Sequence, residues 1–259
     1  MTDATALKAP FWLDPAPVVF PPTHLALTEP DGLLAIGGAL TSEWLLHAYQ
    51  RGIFPWFNES DPILWWTPNP RSVFLTQAMH ISRSMRRTLK KHTFEVSFDQ
   101  AFDAVTQACA QTPRPGQAGT WIVPEMLDAY QKLHQQSHAH SVEVWSKGQL
   151  VGGLYGVSMG RMFFGESMFS TQSNASKVAL IALATQLRLW GFELIDTQMP
   201  SPHLQSLGAR LMSREHFESH VSKLVKKPGP ETWTLDPDWV AHAMIFEQWA
   251  QAKRNPHPP

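Results

Sequence analysis

Between residues 123 and 225 the hydrophobic pattern changes period several times, and the order of those changes leaves few folds open. Val123-Pro124 opens a helix to about His134, with proline at the first helical position, where no amide hydrogen bond is lost. Ser141 to Trp145 alternates, Lys147-Gly148 is a hairpin turn, and Gln149–Ser158 and Arg161–Ser167 continue as strands around Gly160. Asn174 is placed to cap a long helix from Ala175 to Trp190, which Gly191 ends. Phe192–Gln198 is a short strand, and a further helix runs from Arg214 to Val225. The order helix, strand, strand, strand, helix, strand, helix predicts helices packed on a mixed sheet.

The chain before this region has another texture. Phe11–Pro22 carries four of the 21 prolines and is expected to be an extended arm. Leu33–Gly38 is a short apolar stretch, and Thr41 and Ser42 offer caps for a helix from about Glu43 to Arg51, stopped by Gly52. Two tryptophan-proline segments follow, Phe54–Phe57 and Trp65–Arg71. Several of the 11 tryptophans therefore fall in irregular chain, where they serve either a large aromatic core or the wall of a pocket. Asp99 is expected to cap a helix to Gln111 that buries Phe102, Val105 and Cys109, and a last helix is expected from about Asp238 to Lys253. The expected class is α+β, with a small N-terminal α/β domain over residues 1–72 and a second domain over 73–259.

The single cysteine excludes an intrachain disulfide and any Cys₄ or Cys₂His₂ zinc site. Met1–Lys8 has no leader pattern, and the longest apolar run, Val178–Leu187, is too short to span a bilayer, so a cytoplasmic protein is expected. His134, His138 and His140 lack an accompanying carboxylate at ligand spacing. No phosphate-cradling glycine motif is present, and Ser170–Ser176, where an acetyltransferase would hold its pyrophosphate, has no glycine.

The net charge of −1 hides an asymmetry. No acid occurs from Pro62 to Phe94, and within that span Ile81, Met85 and Leu89 recur at helical spacing. A helix over 79–92 would carry Arg83, Arg86, Arg87, Lys90 and Lys91 mostly off this apolar stripe. Such a face is either a solvated surface or a landing site for an anionic partner such as a nucleic acid backbone. Three polar groups sit in strands. Strand alternation puts Asp196 and Gln198 on one face, and Glu166 stands within Phe163–Phe169, where a carboxylate needs a partner.

Several blocks occur in order over about residues 20–220. They are Pro30–Gly38, Tyr49–Trp56, Trp65–Arg71, His80–Met85, Gly119–Ile122, Gly165–Ser170, Asn174–Lys177 and Leu194–Gln198. Together they resemble the bacterial leucyl/phenylalanyl-tRNA–protein transferases. The resemblance implies a GNAT-like C-terminal domain, no metal and no CoA. It implies transfer of Leu or Phe, and less well Met, from aminoacyl-tRNA to the α-amino group of proteins beginning with Arg or Lys, which marks them for N-end rule degradation. It assigns Glu166, Asp196 and Gln198 to the catalytic centre and Trp56, Trp121 and Leu183 to the pocket for the transferred side chain and terminal adenosine. The basic helix would cradle the tRNA acceptor arm. Ala39, Asn69, Leu183 and Thr197 depart from the family's usual residues. A CoA-dependent acetyltransferase and a non-catalytic RNA- or N-degron-binding module are the alternatives. A monomer is expected.

Overall fold

A computed structural model describes residues 9–112 and 122–254, with side chains as far as Phe246. The first of its two sheets gathers β1 (Phe11–Leu13), β2 (Leu33–Gly37), β3 (Phe54–Pro55) and β4 (Leu64–Trp66) in the order β1-β2-β4-β3, with α1 (Ser42–Tyr49) between β2 and β3. The proline-rich arm is thus more than a tether: Phe11 to Leu13 pair in parallel with Ala35 to Gly37. Thr41 caps α1, its hydroxyl accepting from the Trp44 N–H at 3.3 Å. Trp44, Trp65 and Phe20 form the buried centre of this unit. The indole N–H groups of Trp44 and Trp65 donate to the carbonyls of Pro15 and Gly37, so these tryptophans bury their rings without orphaning a donor.

The second sheet is built from β5 (Arg71–Leu75), β6 (Glu95–Phe98), β7 (Ala139–Ser146), β8 (Gln149–Met159), β9 (Met162–Ser170), β10 (Leu194–Gln198) and β11 (Arg210–Met212). Its order is β11-β5-β10-β9-β8-β7-β6. Neighbours run antiparallel except β9 and β10, which α5 (Ala175–Leu189) joins as a crossover. The other helices are α2 (Arg83–Lys90), α3 (Phe102–Gln111), α4 (Pro124–Gln135), the short α6 (Pro202–Ser206), α7 (Arg214–Leu224) and α8 (Trp239–Arg254). One buried cluster joins α5, α2 and Trp239 of α8 to the sheet. The other joins α3, α4, α7 and the whole first sheet to it. The fold is α+β, as the pattern implied. No described helix is long and apolar enough to cross a membrane.

Three local expectations change. The basic helix is shorter than 79–92: Ser82 caps it, its hydroxyl accepting from the Met85 N–H at 3.2 Å, while the stripe Ile81, Met85 and Leu89 is buried as expected. Asp99 caps nothing. It sits at φ +56°, and its carboxylate accepts from the Ser141 N–H at 2.8 Å and meets His140 Nδ1 at 2.7 Å, so α3 begins later, at Phe102. Asn174 does precede α5, but at φ +74° and with no side-chain cap bond.

Candidate active site

The parallel pairing of β9 and β10 ends at Phe164 and Asp196. Just beyond that point each strand carries one surplus residue. In β9, Tyr155 pairs with Ser167 and Gly156 with Gly165, which leaves Glu166 as the bulged residue. In β10, Asp196 pairs with Val73 and Gln198 with Ser72, which leaves Thr197 as the surplus. Bulges break the ladder and re-aim side chains, and here they open a gap between neighbouring strands. A cavity of about 470 Å³ occupies it. Leu154, Phe163, Met168, Leu180, Leu183 and Ile195 form its apolar wall, and Glu166, Gln198, Ser201 and His203 its polar end.

The bulge in β10 also overturns the expectation that Asp196 and Gln198 share one face. Asp196 has no exposed surface and turns to Arg71, which donates from Nε to Oδ1 at 2.8 Å and from Nη2 to Oδ2 at 2.6 Å. The guanidinium, also fully buried, lies over the rings of Phe54 and Phe217, each at 4.6 Å. Asp196 Oδ1 further accepts from the Gln198 N–H at 2.9 Å. That bond holds Gln198 at φ +59°, a left-handed conformation that a non-glycine residue keeps only when its surroundings insist. The Asp196 carboxylate is therefore committed to Arg71 and to the Gln198 amide.

Gln198 points instead to Glu166, donating from Nε2 to Oε1 at 3.0 Å. The Tyr49 hydroxyl reaches Glu166 Oε1 at 2.7 Å and the Tyr130 hydroxyl reaches Oε2 at 2.8 Å, while the two hydroxyls meet at 2.5 Å. Burial pushes the Glu166 carboxyl up to about 7, with the charge of Asp196 adding to the rise and the two tyrosines and Arg71 opposing it. Burial first, then Glu166, also raises Tyr49 and Tyr130 well above the usual phenol range. Of the residues expected from the sequence, Glu166 and Gln198 meet each other and Asp196 meets Arg71, while Arg71, Tyr49 and Tyr130 were not among those expected. Arg71 and Tyr49 end and begin two of the blocks that carry the resemblance, and only the topology brings them to the gap.

Leu183 lines the cavity. Trp56 does not: it packs on Trp66 with ring centres 5.5 Å apart, beside the first sheet. Trp121 lies outside the described residues. Arg83, Arg87, Lys90 and Lys91 are exposed, while Arg86 is half-buried and its Nε donates to the Ile81 carbonyl. The histidines have local tasks. His134 bonds the Ala139 carbonyl and stacks on Phe102, and His140 stacks on Trp233 with ring centres 3.8 Å apart. Among the described residues no group of three His, Cys, Asp or Glu side chains is placed to hold a metal ion.

The family model described as leucyl/phenylalanyl-tRNA protein transferase matches residues 73–222, and that of the family's N-terminal domain matches residues 38–69. A leucyl/phenylalanyl-tRNA–protein transferase of Hydrogenovibrio crunogenus is 61% identical over 91% of this chain and 92% of its own length. One of Nitrosospira multiformis is 52% identical over 86% of this chain and 96% of its own. Among solved structures, a GCN5-related N-acetyltransferase from Kribbella flavida overlaps 62% of this chain and 57% of its own, at 10% identity and a TM-score of 0.34. The family matches and the identity over nearly the whole chain agree with the resemblance carried by the sequence blocks: the chain belongs to the leucyl/phenylalanyl-tRNA–protein transferase family, enzymes that transfer an amino acid from aminoacyl-tRNA to protein.

Proposed function

We propose that this chain moves Leu or Phe, and less well Met, from aminoacyl-tRNA to the α-amino group of proteins that begin with Arg or Lys, marking them for N-end rule degradation in the cytoplasm. The observation that carries this reading is the apolar cavity that ends on Gln198 and Glu166. A side chain without a branch at Cβ, such as that of Leu, Phe or Met, suits such a slot, and each misfit methyl of a β-branched competitor costs about 1–3 kcal/mol. The exposed cations of α2 and Lys91 form a cradle for the acceptor arm of the tRNA. The protein acts as a monomer.

The reaction is aminolysis of an ester. The acceptor's neutral amine forms a bond to the aminoacyl carbonyl carbon. The bond from that carbon to the terminal ribose oxygen of the tRNA then breaks. The amine gives up a proton and the ribose oxygen gains one. Gln198 anchors its NH₂ on Glu166, which leaves its amide oxygen to receive the attacking N–H. An amide is a poor base, so Gln198 contributes by positioning rather than by removing the proton outright. Asp196 acts through Gln198 as a positioning residue.

The test is transfer of labelled leucine from Leu-tRNA to a peptide beginning with Arg, beside the same peptide beginning with Ala. Transfer to the Arg peptide alone is expected. No transfer to either, or equal transfer to both, refutes the donor or the acceptor.

A further inference from the structure

Three oxygen-bearing groups meet at the polar end of the cavity, and their hydrogens can be counted. Tyr49, Tyr130 and Glu166 make three mutual contacts, at 2.5, 2.7 and 2.8 Å. Each contact is close enough to require a hydrogen between its two oxygens. The two phenols are neutral and supply one hydrogen each. If Glu166 were ionised, two hydrogens would serve three contacts. With both phenols donating to the carboxylate, the bare contact would be the shortest one, between the two hydroxyl oxygens.

A third hydrogen resolves the conflict. Glu166 Oε1 already accepts from Tyr49 and from Gln198 Nε2. The remaining place is Oε2, which faces Tyr130. We propose that Glu166 carries a proton on Oε2 in the resting protein, closing with Tyr130 and Tyr49 a ring of three hydrogen bonds that makes the two tyrosines positioning residues for Gln198. Round the ring, Glu166 donates to Tyr130, Tyr130 to Tyr49, and Tyr49 to Glu166 Oε1. Every oxygen then has its hydrogen.

The surroundings support a neutral carboxyl. The groups facing Glu166 are Tyr49 on α1, Tyr130 on α4 with Tyr155 of β8 behind it, Gln198 and Asp196 on β10, and Arg71 on β5. Arg71, the one cation in this set, is bound to Asp196 by two hydrogen bonds.

The inference deepens the functional reading and rests on it for its consequence. A neutral Glu166 places no anion beside the oxyanion that forms when the ester is attacked. It also keeps Oε1 as an acceptor, which fixes the direction of the Gln198 amide.

Infrared spectroscopy of the full chain tests the proposal without an activity assay. By pH 6 ordinary carboxyls are ionised, so the stretch of a protonated carboxyl reports one held neutral. The expected result is such a band in the wild type at pH 6, missing from Glu166→Gln and lost as the pH is raised. Tyr130→Phe and Tyr49→Phe each change the hydrogen bonds of both the neutral and the ionised form, so each is expected to move that loss by about one pH unit. Absence of the band from the wild type overturns the proposal, as does a band that Glu166→Gln leaves in place. A band whose titration neither tyrosine variant moves overturns the positioning role. The tyrosine variants keep the test decisive should Glu166→Gln not fold. A chain that shows the band but transfers no leucine refutes the functional reading alone.

Discussion

Replacing Asp196 with Asn tests the buried pair that supports the site. The carboxylate accepts two bonds from Arg71 and one from the Gln198 amide, and neither Asp196 nor Arg71 has any exposed surface. Asparagine keeps one oxygen, enough for the Gln198 N–H and the Arg71 Nε. Its NH₂ would then face Arg71 Nη2, donor against donor, with no charge to balance the guanidinium. Breaking a buried pair by removing one partner costs about 3–5 kcal/mol. The two ring faces at 4.6 Å persist and hold the cost near the lower bound, about 3 kcal/mol. At about 2–4 °C per kcal/mol for a chain of this size, Tm should fall by about 6–12 °C. The companion variant Arg71→Met with Asp196→Leu removes both charges, and its Tm should return to within a few degrees of wild type. Leucine cannot accept from the Gln198 N–H, so leucine transfer in that variant should stay down about 100-fold, about 2.7 kcal/mol of lost positioning. Calorimetry and initial rates of transfer read the two effects separately. An Asp196→Asn protein that melts within a degree of wild type refutes the buried pair, and wild-type turnover in the double variant refutes the link to Gln198.

Four other outcomes are expected. Leu183→Phe narrows the cavity and should lower kcat/KM for Phe-tRNA about 10-fold more than for Leu-tRNA; an equal loss on both would remove Leu183 from the wall. Arg83→Glu with Arg87→Glu should raise KM for aminoacyl-tRNA about 10-fold and flatten its salt dependence, and an unchanged KM contradicts the cradle. A methyl on Gly156 would lie 2.2 Å from the Phe164 carbonyl oxygen, so Gly156→Ala should lose at least about 1–3 kcal/mol in urea titration, and an unchanged midpoint would mean the strands do not approach so closely. Glu166 sits at about 7 in the folded chain, above its ordinary 4.5, so the folded state binds more protons between those values. Its contribution to stability is full below about pH 4.5 and lost as the pH rises through 7. The wild type should therefore lose up to about 3 kcal/mol relative to Glu166→Gln across that window, and a constant difference refutes the shift.

Much of the fold was legible because its hydrophobic periods are clean. The uncharged face of α5, the hairpins at Lys147-Gly148 and Gly160, and the stripe Ile81, Met85 and Leu89 each specify one element and one buried side. The short strands β1 and β3 were not legible, since pairing over two or three residues is decided by distant partners rather than by local alternation. In the site, Asp196 and Gln198 were misassigned to a common face because alternation assumes an unbroken register. A carboxylate in an apolar strand announced that Glu166 has partners, but Tyr49 and Tyr130 come from helices 117 and 36 residues away in sequence, and nothing local marks them. Asp99 looked like a cap because caps are chosen by residue type, whereas its carboxylate serves the neighbouring strand at Ser141.

The paired bulges carry a consequence of their own. Glu166 and Thr197 are each one residue too many for the ladders they interrupt. Most of what a sequence specifies about a pocket is written in the identity of side chains. This opening is written in chain length: it exists because two neighbouring strands miscount at the same height. Substitution can retune its walls, whereas deleting Glu166 would shift the register of β9 against β8, and deleting Thr197 that of β10 against β5. Along Gly165–Ser167 and Asp196–Gln198, then, an exchange of residues and a loss of one belong to different classes of damage, the first changing the walls and the second the register.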